Sequence, residues 1–295
     1  MKKWFTVFLC IALLVVLGGC AKSKDQFEPT FTMDTYPIID GSTANLPLAH
    51  ALAQHFLGMT QEESESFVRF NKTDEAYWNL LYGYCDLVLA YEASSGMKRT
   101  LHDQKAEFDY YEIGLDALVF ILSAQNPIES LSQEQIVSIY SGQTTNWKDV
   151  GGEDLGIVAF QRPDGSGSQT MMQKLVMGNQ EMMEAPADWI ESEMGGLIEV
   201  LQEYSNERSA IGYSVFYYAY YMYSKPDLKF LKIDGVEPSN KSIQDGSYPF
   251  VNPFYAVVRS DERKDSPARQ LAEWLSSASG KELMEQAGYV PTVQR

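Results

Sequence analysis

Residues 156–170 read Gly156-Ile157-Val158-Ala159-Phe160-Gln161-Arg162-Pro163-Asp164-Gly165-Ser166-Gly167-Ser168-Gln169-Thr170, and Met171-Met172-Gln173-Lys174-Leu175-Val176-Met177 follow. The apolar run 156–160 reads as a buried strand and 171–177 as an amphipathic helix. A strand, a Gly/Ser turn and a helix start bring free backbone N–H groups and small hydroxyls to one point. Unsatisfied amides and the helix dipole draw anions there. Arg162 adds a permanent positive fork suited to a tetrahedral oxyanion. Taken alone, the same residues also fit an ordinary Ser-capped helix behind a polar turn.

The unit occurs twice. Tyr36-Pro37-Ile38-Ile39-Asp40 reads as a short strand and Gly41-Ser42-Thr43-Ala44-Asn45 as a small polar turn. Residues 46–53 read as a helix, with Pro47 tolerated in its first turn. Two such helix starts facing one cleft would grip an anion from both sides.

Between and beyond the two units, strands alternate with helices. Helical patterns cover 74–82, 131–140 (capped by Ser130 or Ser132), 195–204 and 215–223, and two short helices broken near Gly280 cover 267–287. Strand patterns cover 85–90, 108–113 entering a second at 115–122, 210–213 and 249–258. This alternation predicts an α/β architecture with mostly parallel sheets. Ligands of such sheets bind beyond the carboxyl ends of strands, where Ser42, Thr43, Tyr91, Glu92, Arg162 and Ser166 fall.

The formal net charge is −17. That argues against nucleic acid as a partner, which needs a basic footprint. It also means that an anion must be held by local dipoles and one or two cations. Met1-Lys2-Lys3, the apolar run from Trp4 to Leu17 and Gly18-Gly19-Cys20 form a secretory signal (1–19). Leu17-Gly18-Gly19-Cys20 resembles the lipobox of bacterial lipoproteins, which makes Cys20 the lipidated residue and residues 20–35 a tether. A plain signal or an uncleaved anchor is the alternative, although the run is short for a spanning helix. Cys85 is then the one remaining thiol outside the signal and the lipobox, and it reads as a core residue. The mature chain suits two domains of ordinary size.

Other features carry less. Asp164-Gly165-Ser166-Gly167-Ser168 is not the Gly-x-Ser-x-Gly nucleophile elbow, and His50, His55 and His102 have no metal-ligand spacing. The aromatic run 216–223 reads as packing, with tyrosine hydroxyls at the surface. Asp245-Gly246-Ser247 reads as a turn, and Glu62-Glu63-Ser64-Glu65 as a solvated face.

Several spaced motifs resemble one family. Ile139-Tyr140-Ser141-Gly142 followed by Asn146-Trp147-Lys148-Asp149-Val150-Gly151-Gly152 is similar to the middle segment of the phosphate-binding proteins of ABC importers. Arg162 to Ser168 is similar to that family's Arg-x-x-x-Ser-Gly-Thr/Ser loop, and Asp40-Gly41-Ser42-Thr43 to its first phosphate turn. Gly114-Leu115-Asp116-Ala117-Leu118 and Gly288-Tyr289-Val290-Pro291 match as well. The resemblance spans about residues 36–292.

It implies an α/β, two-lobed type II periplasmic-binding-protein fold with two crossing segments. Lobe I would comprise 36–114 plus 247–295, and lobe II 115–246. The implied function is capture of inorganic phosphate for an ABC importer permease, at the membrane through the lipid on Cys20. The implied protein is a monomer that performs no catalysis and needs no cofactor or metal. Ser42 and Thr43 would contribute from lobe I, and Arg162, Ser166, Gly167 and Ser168 from lobe II. The family often adds a cleft carboxylate that accepts the proton of hydrogen phosphate. Asp86 and Glu92 are the candidates, and Glu92, at the strand end, is preferred. Because Tyr91 stands between them, selectivity over sulfate or molybdate stays open. A sensory or surface protein that kept the fold without transport is the further alternative.

Overall fold

The structure, a computed structural model, describes residues 27–292. The expected signal segment and Cys20 lie outside the described residues. Of the expected tether, Pro29 and Phe31 are already buried. Phe31 is buried edge-on against Tyr36 at 5.6 Å and Phe56 at 5.0 Å. Glu28 accepts from the Trp274 indole at 2.7 Å.

The strands are β1 (Ile39–Gly41), β2 (Leu87–Ala90), β3 (Phe108–Ser123), β4 (Ser130–Leu131), β5 (Val158–Ala159), β6 (Ala210–Val215), β7 (Leu228–Phe230), β8 (Lys232–Ile233), β9 (Val251–Arg259) and β10 (Val290–Pro291). The helices are α1 (Leu46–Leu57), α2 (Gln61–Phe67), α3 (Thr73–Leu81), α4 (Ser95–Asp103), α5 (Gln133–Tyr140), α6 (Gly167–Met171), α7 (Met194–Glu203), α8 (Asn240–Gln244), α9 (Pro267–Leu275) and α10 (Ala278–Gln286). A π-helical stretch, Met172–Met177, prolongs α6.

The main sheet runs β1-β2-β9-β3-β6-β5, with β7 and β10 also on β3. Strand β3 is its spine. Phe108–Ala117 pairs antiparallel with β9, whereas Leu118–Leu122 pairs antiparallel with β6. The partner changes between Ala117 and Leu118, where Leu118 N donates to Phe250 O at 3.0 Å. Two half-sheets result, joined by the middle of β3 and by the chain around Phe250 that leads into β9. The pairs β1–β2 and β5–β6 are parallel, but β9 is antiparallel to both β2 and β3. The sheet is therefore mixed and not mostly parallel, because β9 returns from the second half and inserts between β2 and β3.

Period-two alternation explains the layers. Leu87 and Leu89 of β2 and Ala256 and Val258 of β9 bury against α1 and α9 (Leu48, Leu52, Leu271). The alternate residues Val88, Ala90 and Val257 bury against α3 and α4 (Tyr77, Leu80, Met97, Leu101), and Cys85 joins that cluster as a core residue. Strands covered on both faces read as continuous apolar runs, as Leu87-Val88-Leu89-Ala90 does.

Some element boundaries differ from the sequence pattern. The two strands expected at 108–122 are one, bulged between Glu112 and Gly114. Gly114 does not end a strand; a Cβ there would lie 2.4 Å from the Phe254 ring, so the glycine makes room for that ring. The C-terminal helices break at Ser276–Ser277. Gly280 lies inside α10, where a Cβ would meet Trp274 O at 2.3 Å. Helices α2 and α4 had no visible apolar stripe. Helix α2 buries only Ser64, although Thr60 and Glu63 form a capping box, and α4 buries only Met97 and Leu101.

Candidate anion-binding site

Strand β5 delivers the chain to Arg162. Gly165 turns it at φ +84°, a conformation that favours glycine. Ser166 then caps α6, its Oγ accepting from Gln169 N at 3.2 Å. Arg162 is 4% exposed. Its backbone N donates to Tyr213 Oη at 3.1 Å and its Nη2 to Ser192 O at 3.2 Å. Nε and Nη1 are buried without a partner among the described residues, as is Ser168 Oγ. Burial pulls the Arg162 pKa down from its ordinary value, against the pull of Glu193, which is exposed, and Glu191, which is half-buried. A guanidinium so desolvated, with two donors aimed at no protein acceptor, is costly unless an anion completes it.

The first turn presses onto the end of β2. A Cβ on Gly41 would lie 2.1 Å from Leu89 O, so only glycine fits. Ser42 N and Asn45 Nδ2 both donate to Leu89 O, at 3.0 and 3.1 Å. Ser42 does not cap the helix that follows, and its buried Oγ has no partner among the described residues. Asn45 Oδ1 is likewise buried and unpartnered. Thr43 opens the short 3₁₀ turn leading into α1 and is half-buried.

The N-terminus of α3 forms a third side, which the sequence reading did not propose. Asp40 organises it, accepting from Gly41 N, Asn71 N and Asn79 Nδ2, each at 2.7 Å. Lys72, the N-cap, has φ +73° and ψ 175°, a region that costs a non-glycine residue about 1–3 kcal/mol. Strain at that position turns the chain into buried Thr73, next to the second turn. A Cβ on Gly167 would lie 2.9 Å from Thr73 Oγ1 and 2.8 Å from Tyr91 Cδ2. The start of α6 thus abuts both α3 and the residue after β2. No Gly/Ser signature marks 71–74, so no local signal was available.

Both carboxylate oxygens of Glu92 are engaged by lysines. Its Oε1 accepts from Lys174 and its Oε2 from Lys98, each at 2.6 Å. Burial pushes its pKa up, but the bonds from Lys174 and Lys98 outweigh this and hold it below the usual carboxylate range. The Lys174–Glu92 pair joins the helix after the second turn to the strand end beside the first. Lys72–Glu193, at 2.6 Å, makes a similar bridge. Asp86 lies at the opposite end of β2, its Oδ2 accepting from Ile38 N at 2.9 Å.

Ser166 Oγ is engaged as a cap, His55 pairs with Glu28 at 2.7 Å and His102 is exposed. No group of potential metal ligands occurs among the described residues. No described helix is long and apolar enough to cross a membrane.

Two half-sheets joined by two strands, with helix starts of both meeting beside a buried arginine, define a cleft protein of the binding-protein class. The PBP superfamily domain matches residues 34–279, and the chain belongs to that superfamily. Among relatives, the phosphate-binding protein PstS of Staphylococcus aureus (strain USA300) is 24% identical over 100% of this chain and 90% of its own. PstS of Staphylococcus haemolyticus is 28% identical over 67% of this chain and 62% of its own. Among solved structures, an ABC-type phosphate transport receptor from Vibrio cholerae superposes with TM-score 0.62 at 22% identity, covering 85% of this chain and 98% of that one. The fold is the two-part α/β fold of type II periplasmic binding proteins.

Proposed function

We propose that this chain is an extracytoplasmic solute-binding lipoprotein that captures inorganic phosphate and hands it to an ABC importer permease. One observation carries the reading: buried Arg162 presents Nε and Nη1 without partners among the described residues, and the Oγ atoms of Ser42 and Ser168 are in the same condition. Arg162 supplies the charge, and the hydroxyls of Ser42, Thr43 and Ser168 supply neutral donors. The amides at Gly167 and Ser168 supply the helix-terminal field. Six to eight bonds to a charged group, at about 1.5–3 kcal/mol each, less desolvation and closure costs, reach the roughly 8 kcal/mol of micromolar affinity.

Residues 36–114 with 247–295 act as one lobe and 115–246 as the other, and they close over the anion. Glu92 serves this closure from the rim, bridged to Lys174 across the junction. The ligand leaves unchanged, without covalent chemistry. Lipid on Cys20 keeps the protein at the outer face of the membrane, and the named relatives, which are phosphate-binding proteins, support phosphate as the anion.

A second reading, another tetrahedral oxyanion, draws on Glu92: with both its oxygens on lysines, it is not free to accept a ligand proton. Calorimetric titration with phosphate, sulfate and molybdate separates the two. Heat of binding at micromolar phosphate, with none for sulfate or molybdate, is expected. Equal affinities would favour the second reading, and no heat with any of the three would sink both.

A further inference from the structure

Asp116 lies on β3 beside the Ala117–Leu118 change of partner and is 4% exposed. Its Oδ2 accepts from Tyr91 Oη at 2.7 Å, and its Oδ1 from Ala117 N at 2.7 Å and Tyr217 N at 3.1 Å. Each aromatic partner leads to a different anion turn. The Tyr91 ring abuts Gly167 of the second turn. The Tyr217 ring is stacked on Tyr289 at 3.7 Å. Tyr289 Oη in turn donates to Ala44 O at 2.7 Å and accepts from Leu48 N at 3.3 Å, which fixes the first turn and its helix.

We propose that Asp116 is a positioning residue for anion capture, holding both turns in register through Tyr91 and through the Tyr217–Tyr289 stack, and that capture is therefore linked to its proton. The proposal rests on the oxyanion reading above.

The groups facing the carboxyl carry no formal charge. They are Tyr91 beyond β2, the Ala117 amide of β3, the Phe216 and Tyr217 amides beyond β6, Tyr289 behind them, and Asn252 opposite on β9. Burial without a cation pushes Asp116 up to about 6, against the pull of the Tyr91, Ala117, Tyr217 and Phe216 bonds. A bound oxyanion adds a second negative charge to the same enclosed junction. Binding thus favours the protonated carboxyl, and affinity falls as pH rises through the folded value. The fold obeys the same sign. A carboxyl raised above its ordinary 3.8 gives stability that is full below that value and lost as pH rises through about 6.

The test is phosphate affinity by calorimetry from about pH 5 to about pH 8 for wild type, Asp116→Asn and Tyr91→Phe. Phosphate itself titrates in this range, so the reading is the ratio of wild-type to Asp116→Asn Kd at each pH. That ratio should rise at least about fivefold across the range. Tyr91→Phe removes a donor to the ionised carboxyl, so its inflection should lie at higher pH than that of wild type. A constant ratio, or an inflection unmoved in Tyr91→Phe, overturns the proposal; should Asp116→Asn fail to fold, the Tyr91→Phe inflection decides alone. No oxyanion binding by wild type would overturn the functional reading and this proposal with it, whereas binding with a flat ratio overturns only the proposal.

Discussion

Arg162→Ala is expected to abolish oxyanion binding, raising Kd by more than about a hundredfold. Removing one partner of a buried charge pair costs about 2–5 kcal/mol, because the other charge is left desolvated. Lys72 and Lys174 are already tied to Glu193 and Glu92. The same substitution should leave the ligand-free fold as stable as wild type or more so. The Arg162 side chain is desolvated yet makes a single hydrogen bond among the described residues, to Ser192 O. Calorimetry together with thermal melts, with and without phosphate, reads both effects. Unchanged affinity would remove Arg162 from the site, and a large loss of ligand-free stability would make it a structural residue.

Gly167→Ala should weaken binding by roughly 5- to 150-fold while sparing the fold. The added methyl would lie 2.8 Å from Tyr91 Cδ2 and 2.9 Å from Thr73 Oγ1. Neither neighbour gives way easily, since Tyr91 is buried and bonded to Asp116, and Thr73 is the buried first residue of α3. Overpacking of this kind costs about 1–3 kcal/mol. The clash exists only where the start of α6 meets α3 and the end of β2, so it should fall on the closed form. An open protein gains slightly, because alanine suits a helix better than glycine. Small-angle scattering at saturating phosphate should show less compaction than for wild type. Wild-type affinity in this variant would mean that the Gly167 contacts do not belong to closure.

The site was legible in the sequence to the extent that it is local. Ser42, Arg162, Ser166 and Ser168 stand in contiguous strand–turn–helix units whose chemistry shows in a few residues, and the structure sets the start of the second unit against Thr73 and Tyr91. The third side was not legible, because it depends on contacts distant in sequence. Thr73 becomes relevant only when Gly167 lies against it, and Lys72 shows its importance through a dihedral that residue type does not announce. Glu92 reads as a cleft carboxylate until Lys174 is seen beside it, and Tyr91 as an interruption until its hydroxyl meets Asp116. The fold divides in the same way. The buried strand at 87–90 was visible as an apolar run, whereas the insertion of β9 between β2 and β3, which makes the sheet mixed, follows from the long return of the chain. Helix α2, with Ser64 as its one buried residue, has no periodicity to read.

On the proposed function, the free donors of Arg162 hold an oxyanion between the two Ser-bearing turns. Anomalous diffraction from crystals grown with arsenate, a tetrahedral analogue of phosphate, tests it most directly. The predicted result is one strong arsenic peak with its oxygens within hydrogen-bond distance of Arg162 Nε or Nη1 and of Ser42 Oγ and Ser168 Oγ. A peak away from Arg162, or none at an arsenate concentration that saturates binding in solution, would contradict it.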